Sequence, residues 1–136
     1  MLLSRWLERD AADGFTIGRD LPSRAFRMVL RNLALFEPCD EGVHYRVRLA
    51  GSAFMRRYDR DISGLQLSDF VAPSDIEARA ADLDEVILRG EPLIETARVI
   101  KGEKTYLTFE SLQLRVHAPD RCTFWVLAGM FHKDDA

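Results

Sequence analysis

Three observations predict an α+β fold for this chain: two stretches with helical apolar spacing, one run of period-two alternation, and a C-terminal part built of strand-like segments. The first helical stretch places Phe26, Val29, Leu30 and Leu33 at i, i+3, i+4 and i+7, the spacing that lines one face of a helix. The second repeats Ile76, Ala80, Leu83 and Ile87 along one stripe. At 136 residues the chain has the size of one domain with one core.

Residues 1–20 read as an N-terminal arm, with a short helix from Leu2 to Arg9 and polar breaks at Asp10–Gly14 and Gly18–Asp20. The domain proper, residues 21–136, opens with a helix from Pro22 to Leu35. Its proline sits in the first turn, where a missing N–H is harmless, and Arg24, Arg27 and Arg31 form the solvated face. After the breaker run Glu37–Gly42, Tyr45, Val47 and Leu49 alternate with His44, Arg46 and Arg48, which predicts a half-buried strand over Val43–Ala50 on one side of a hairpin loop. Gly51 ends that strand, and Ser52 is expected to cap a short helix reaching Tyr58. From Asp59 to Phe70, Ile62, Leu65, Leu67 and Phe70 surround Gly64 in short turns packed on the core. Ser74 and Glu77 stand at capping-box spacing, so the longer helix is expected to start there; it ends at Gly90, with Pro92 barring continuation.

Three strands follow, Leu93 to Lys101, Thr105 to Val116 and Cys122 to His132, joined by short polar turns that make them consecutive antiparallel neighbours. In the middle one the apolar parity switches from Leu107 and Phe109 to Leu112, Leu114 and Val116, the mark of a bulge or of a strand whose covered face changes. The last strand is apolar on both parities: Phe124, Val126, Ala128 and Met130 on one, Trp125, Leu127 and Phe131 on the other. Both of its faces therefore need cover. Since one short helix cannot span a sheet, a homodimer is expected, with Phe26, Val29, Leu30, Leu33 and Trp125 at the interface.

Composition excludes several classes. No stretch approaches the roughly 20 apolar residues of a membrane span, and the early charge at Arg5 argues against a signal peptide, so a cytoplasmic protein is expected. The net charge of −3 divides unevenly, with eleven arginines against eight acids in residues 1–60 and eight Lys/Arg against fourteen acids in residues 61–136. At pI 5.6 this lacks the footprint of a nucleic-acid binder. Cys39 and Cys122 form no knuckle or disulfide framework and read as reduced, mostly buried thiols, Cys122 as an apolar filler on the last strand.

Tyr45-Arg46-Val47-Arg48-Leu49-Ala50-Gly51-Ser52-Ala53-Phe54, followed by Tyr58-Asp59-Arg60-Asp61-Ile62-Ser63-Gly64, resembles the RYRLAGT...FGRDLTG signature of a subfamily of short bacterial PAS proteins. Leu21-Pro22-Ser23-Arg24 and Trp6 resemble that subfamily's lead-in. The chain departs at Tyr58-Asp59, where the family has Phe-Gly, and at Ser52, where it has Thr; Asp tolerates the left-handed turn better than most residues. The resemblance implies a PAS-like five-stranded antiparallel sheet with helices on one face, preceded here by the N-terminal helix. It also implies a domain that binds a small molecule in the hollow between sheet and helices or serves as a dimerising interaction module; with no kinase, cyclase or DNA-binding segment in the sequence, any signal is expected to pass to a separate protein. Haem-binding members carry a histidine on the longer helix, and flavin photosensors a reactive cysteine on a short central helix. Residues 74–89 and 57–70 hold neither, so both cofactors are disfavoured.

The chemistry-bearing residues are sparse. Three histidines, His44, His117 and His132, lie apart with no metal-ligand spacing, and the G-x-S-x-G, phosphate-loop and HExxH motifs are missing. The only foothold for an enzyme is Tyr106, Glu110 and His117 as an acid/base set, and strand polars of this kind usually face outward. Two readings stay open. One is a sensor whose hollow, lined by Ile62, Leu65, Phe70, Ile76, Leu83 and the inward residues of the last strands, holds a small ligand with polar help from Arg98, Tyr106 or Arg115. The other is a ligand-free dimerisation module.

Overall fold

The last strand runs through the middle of the sheet, as its two apolar parities require. The computed structural model describes residues 2–21, 24–39, 45–100, 103 and 106–132. Five strands, β1 (Leu33–Pro38), β2 (Tyr45–Ala50), β3 (Leu93–Ile100), β4 (Tyr106–His117) and β5 (Phe124–His132), form one open antiparallel sheet in the order β2-β1-β5-β4-β3. Helices α1 (Leu2–Ala12), α2 (Ser52–Tyr58), α3 (Leu67–Phe70) and α4 (Ile76–Arg89) pack on it, together with a 3-10 helix over Arg24–Asn32. The architecture is α+β and consistent with a PAS-like fold.

The sheet separates two cores. Ala34 and Phe36 of β1, Phe109 of β4, and Val126, Ala128 and Met130 of β5 face α2, α3 and α4 on the inner side. Leu33, Leu35, Leu114, Val116 and Leu127 face the other way, where Leu2 and Trp6 of α1 and then Phe15, Ile17 and Leu21 close over them. The parity switch in β4 is a change of covered face: its pairings with β3 and β5 run without a register shift. The bulge lies elsewhere, between Leu35 and Phe36 in the β1–β2 ladder.

The N-terminal segment is thus more than a lead-in, because it is the second layer. Trp6 is 2% exposed, and its Nε1 donates to the Arg115 carbonyl at 2.7 Å. Beyond α1, the Ile17 amide donates to the His117 carbonyl at 2.9 Å and the His117 amide to the Phe15 carbonyl at 2.8 Å, which ties the segment to the end of β4. Asp20 holds its shape. The buried Asp20 carboxylate accepts from the Thr16 amide at 2.8 Å and from Arg19 Nη2 at 2.7 Å, and pairs with Arg9 Nε at 3.1 Å. Burial pushes this carboxyl up, but the hydrogen bonds from Arg19 and Thr16 outweigh that and hold it below the usual carboxylate range.

Several boundaries differ from the expected ones, each for a local reason. The helix expected from Pro22 to Leu35 ends at Asn32 and has 3-10 geometry; Pro22 itself lies outside the described residues. Three residues per turn stack Phe26, Val29 and Asn32, leave Leu30 39% exposed and release Leu33 and Leu35 into β1. Asn32 Nδ2 donates to the Met130 carbonyl at 2.9 Å, which fastens that stack to β5. At α2 the cap position belongs to Gly51 rather than Ser52. Nothing larger fits there, because a Cβ on Gly51 would fall on the Arg31 carbonyl.

The capping box expected at Ser74 and Glu77 is not formed. Asp75 is the residue before α4, with helical φ −108° and ψ −9° and no side-chain cap. Its amide donates to the Ala72 carbonyl at 2.8 Å, so a turn occupies the backbone that a cap would need extended. A carboxylate does reach back at α3, where the Gln66 amide donates to Asp69 Oδ2 at 2.9 Å. Helix α4 stops where expected, at Gly90 with φ +69°, and Asp59 takes the left-handed conformation, φ +57°, at the end of α2. Cys122 is exposed in the turn before β5 and Cys39 is half-buried, so neither is the buried thiol expected.

Candidate functional site

Between the inner face of the sheet and helices α2–α4 lies a cavity of about 100 Å³. Its apolar walls come from every layer: Phe36 of β1, Phe54 and Tyr58 of α2, Phe70 of α3, Leu83 of α4, and Phe109 and Met130 of β4 and β5. The polar contribution is small. Arg57 stands on α2, Arg79 on α4, Glu95 on the edge strand β3, and Ser111 and Gln113 on β4. Gly129 contributes backbone to the wall, its missing side chain belonging to the outer face, where a Cβ would meet Phe131 and Leu2.

The same parity switch that covers Leu114 and Val116 on the outer side turns Ser111 and Gln113 inward. The Gln113 Oε1 atom is buried and has no hydrogen-bond partner. A buried acceptor left unmade is destabilising by roughly 1–3 kcal/mol, and this one stands in the cavity wall. Arg57 lies over the Tyr58 ring at 4.7 Å and the Phe109 ring at 5.6 Å, a cation held against aromatic faces. Tyr58 and Phe70 meet edge to face at 4.9 Å, which shapes one end of the cavity. Behind it, Tyr45 donates its hydroxyl to Asp84 Oδ1 at 2.6 Å, tying β2 to α4; burial and that hydrogen bond push the Tyr45 phenol well above its ordinary range.

Of the residues expected to line a hollow, the structure brings Phe70 and Leu83 to the cavity. Ile62 is fully buried in the inner core, with Leu65 and Ile76 packed against that core, so these three are filling rather than lining. Arg115 is a correction of role. Its Nη1 donates to the Ile87 carbonyl at 3.0 Å and its guanidinium lies 4.4 Å over Phe124, so it closes the C-terminal end of α4. Arg98 is exposed on β3, and Tyr106 pairs with Ile100 in the ladder while its side chain lies outside what is described. Arg57, Arg79, Ser111 and Gln113 are not among the lining residues that the sequence pattern names. The polar inward positions of β4 were open to recognition from the parity switch, whereas the arginines look like any solvated helix face.

The expected acid/base set is not assembled either. Glu110 and His117 stand seven residues apart on β4, about 23 Å along a strand and on opposite parities. His117 packs instead against Phe124 and Gly14. Burial, then Arg121, Arg115 and Arg19, push its imidazole below the usual histidine range, opposed by Asp13. Side chains of His44 and His132 lie outside the described set. Among the described residues, no three or more His, Cys, Asp or Glu side chains are grouped to hold a metal, and no helix is long and apolar enough to cross a membrane.

The surface expected to recruit a second copy is occupied within the chain. Phe26 and Leu33 are buried in the outer core, and Val29 and Trp125 pack against it, which leaves Leu30 as the exposed member of the set. The uncovered apolar face from which a dimer was expected is covered by α1 and residues 15–21.

Compared with protein-family models and with curated proteins, the chain matches none.

Proposed function

We propose that the chain is a PAS-type sensing domain, without catalytic activity of its own, that binds a small organic molecule in the cavity between the sheet and helices α2–α4. The observation that carries this reading is the buried, unpartnered Gln113 Oε1 in the wall of that cavity. A filled core places apolar atoms at such a position or pairs the polar one, since the large majority of buried side-chain polar atoms are hydrogen-bonded to protein or ordered water. The apolar walls with a few convergent polar groups are the general form of a small-molecule site. The resemblance of Tyr45–Phe54 and Tyr58–Gly64 to the short bacterial PAS signature supports the same reading. A signal then passes to a separate protein in the cytoplasm.

Native mass spectrometry of the purified protein tests it, with Met130→Trp as the cavity-filling control. A retained small molecule that is absent from the variant is the expected result. A bare chain in both, with Gln113→Leu more stable than the parent and indifferent to every small molecule offered, would leave the ligand-free interaction module as the better account.

A further inference from the structure

Resting on the reading of this cavity as a ligand site, we infer that its occupant is a small, flat organic acid carrying a hydroxyl or N–H donor remote from its carboxylate. The size comes first. The cavity volume is about 100 Å³, and one water needs about 10–15 Å³ of such space, so the cavity takes on the order of seven to ten waters or a ligand of about as many non-hydrogen atoms. The shape follows from the walls, because the rings of Phe54, Tyr58, Phe70 and Phe109 around one small space favour a planar apolar body.

Charge then selects the acid. The lining holds two guanidinium groups, Arg57 and Arg79, against one carboxylate, Glu95, which is exposed on the edge strand. Arg79 is half-buried, and no hydrogen bond or ion pair of its side chain is found among the described residues. A guanidinium presents a planar fork of donors that fits a carboxylate with two parallel hydrogen bonds, and burial strengthens that pairing. Arg57, stacked on Tyr58 and Phe109, supplies a second positive charge at the ring faces. The donor is set by the remaining polar wall, where Gln113 Oε1 accepts nothing from the protein and the Ser111 hydroxyl stands on the same inward parity of β4. A neutral hydrocarbon would leave Gln113 Oε1 unmade and Arg79 paired with solvent alone, and an amine would meet the guanidinium groups.

The test is isothermal titration of the full chain at low salt with three probes of nearly equal size: 4-hydroxybenzoate, 4-hydroxybenzamide and 4-hydroxybenzylamine. The expected result is that the acid binds at least about tenfold more tightly than the amide, as a charge-assisted pair allows, and the amine most weakly. Arg79→Gln should abolish the preference of acid over amide while leaving the amide within about twofold, and Arg79→Lys, which keeps a cation without the fork, should retain part of it. Equal binding of acid and amide, or a preference untouched by Arg79→Gln, overturns the inference while the cavity still binds. No binding of any probe overturns it as well, and the cavity reading falls with it only if native mass spectrometry of the parent also finds no retained molecule.

Discussion

Trp6 Nε1 donates a 2.7 Å hydrogen bond to the backbone carbonyl of Arg115, which lies 109 residues further along the chain. That contact joins the first helix to the fourth strand, and the indole around it is a fully buried part of the outer core. The segment before the domain is therefore structural.

Trp6→Phe keeps most of the ring area and removes the donor, leaving the Arg115 carbonyl without it. A loss of about 1–3 kcal/mol is expected, and Trp6→Ala should lose about 3–5 kcal/mol. Urea denaturation of both variants checks this. Loss of α1 from the fold with unchanged midpoint for Trp6→Ala would show that the outer layer adds no stability.

At the two helix starts, substitutions of similar size should behave oppositely. Gly51→Ala drives a Cβ into the Arg31 carbonyl and should be destabilising by at least about 1–3 kcal/mol, as overpacking against backbone is. Ser74→Ala removes a hydroxyl that caps nothing and should stay within about 0.5 kcal/mol of the parent. Denaturation midpoints measured side by side decide; a Ser74→Ala loss near 1 kcal/mol would restore the capping box in solution.

Phe26 and Leu30 are four residues apart in one helix but differ in burial, the first enclosed and the second 39% exposed. Phe26→Ala should lose about 3–5 kcal/mol of stability, and Leu30→Ala little. Light scattering on the two variants separates packing from assembly: a stable Phe26→Ala protein with fewer subunits than the parent would mean that this ring serves an interface between copies.

Acid should loosen the arm through His117. Its imidazole is held below the ordinary value of about 6.5, chiefly by burial and then by Arg121, Arg115 and Arg19, with Asp13 opposing. The unfolded chain therefore takes up the proton first, so this contribution to stability is present above about pH 6.5 and is lost as pH falls through that value towards the lower folded one. The carboxylates of Asp13, lowered by the Arg19 hydrogen bond, and Asp20 act in the same direction but in the carboxylate range. Denaturation midpoints at pH 7.5 and 5.5 for the parent and His117→Gln check the sign. A parent whose drop equals that of the variant would show that His117 is not the group responsible.

Much of the fold was legible because local signals agreed with tertiary placement. Helix α2, strands β3 to β5 and the stop at Gly90 follow alternation, turn residues and glycine chemistry that no distant contact overrides. Strand β1 was hidden because Leu33 continues the apolar spacing of the preceding helix and the run Leu33–Phe36 is apolar on both parities, as a strand inside a sheet must be. The capping box failed through a competing turn at Ala72–Asp75. At the site, Phe70 and Leu83 were readable as apolar lining, but Arg79 acquires its meaning only from α4's place beside the cavity, and Arg115 from the end of that helix. Neither is encoded in spacing along the chain.

At Gly129 the two halves of the molecule come within a single peptide of each other. The inner side of that peptide borders the cavity, and on the outer side the space where a side chain would stand is taken by Phe131 and Leu2. Among the described strand residues Gly129 alone has no side chain, so no methyl group stands between the cavity wall and the first turn of α1. Since closely packed interiors pass strain on rather than absorb it, a displacement of β5 at this glycine would bear directly on Phe131 and on Leu2 of α1.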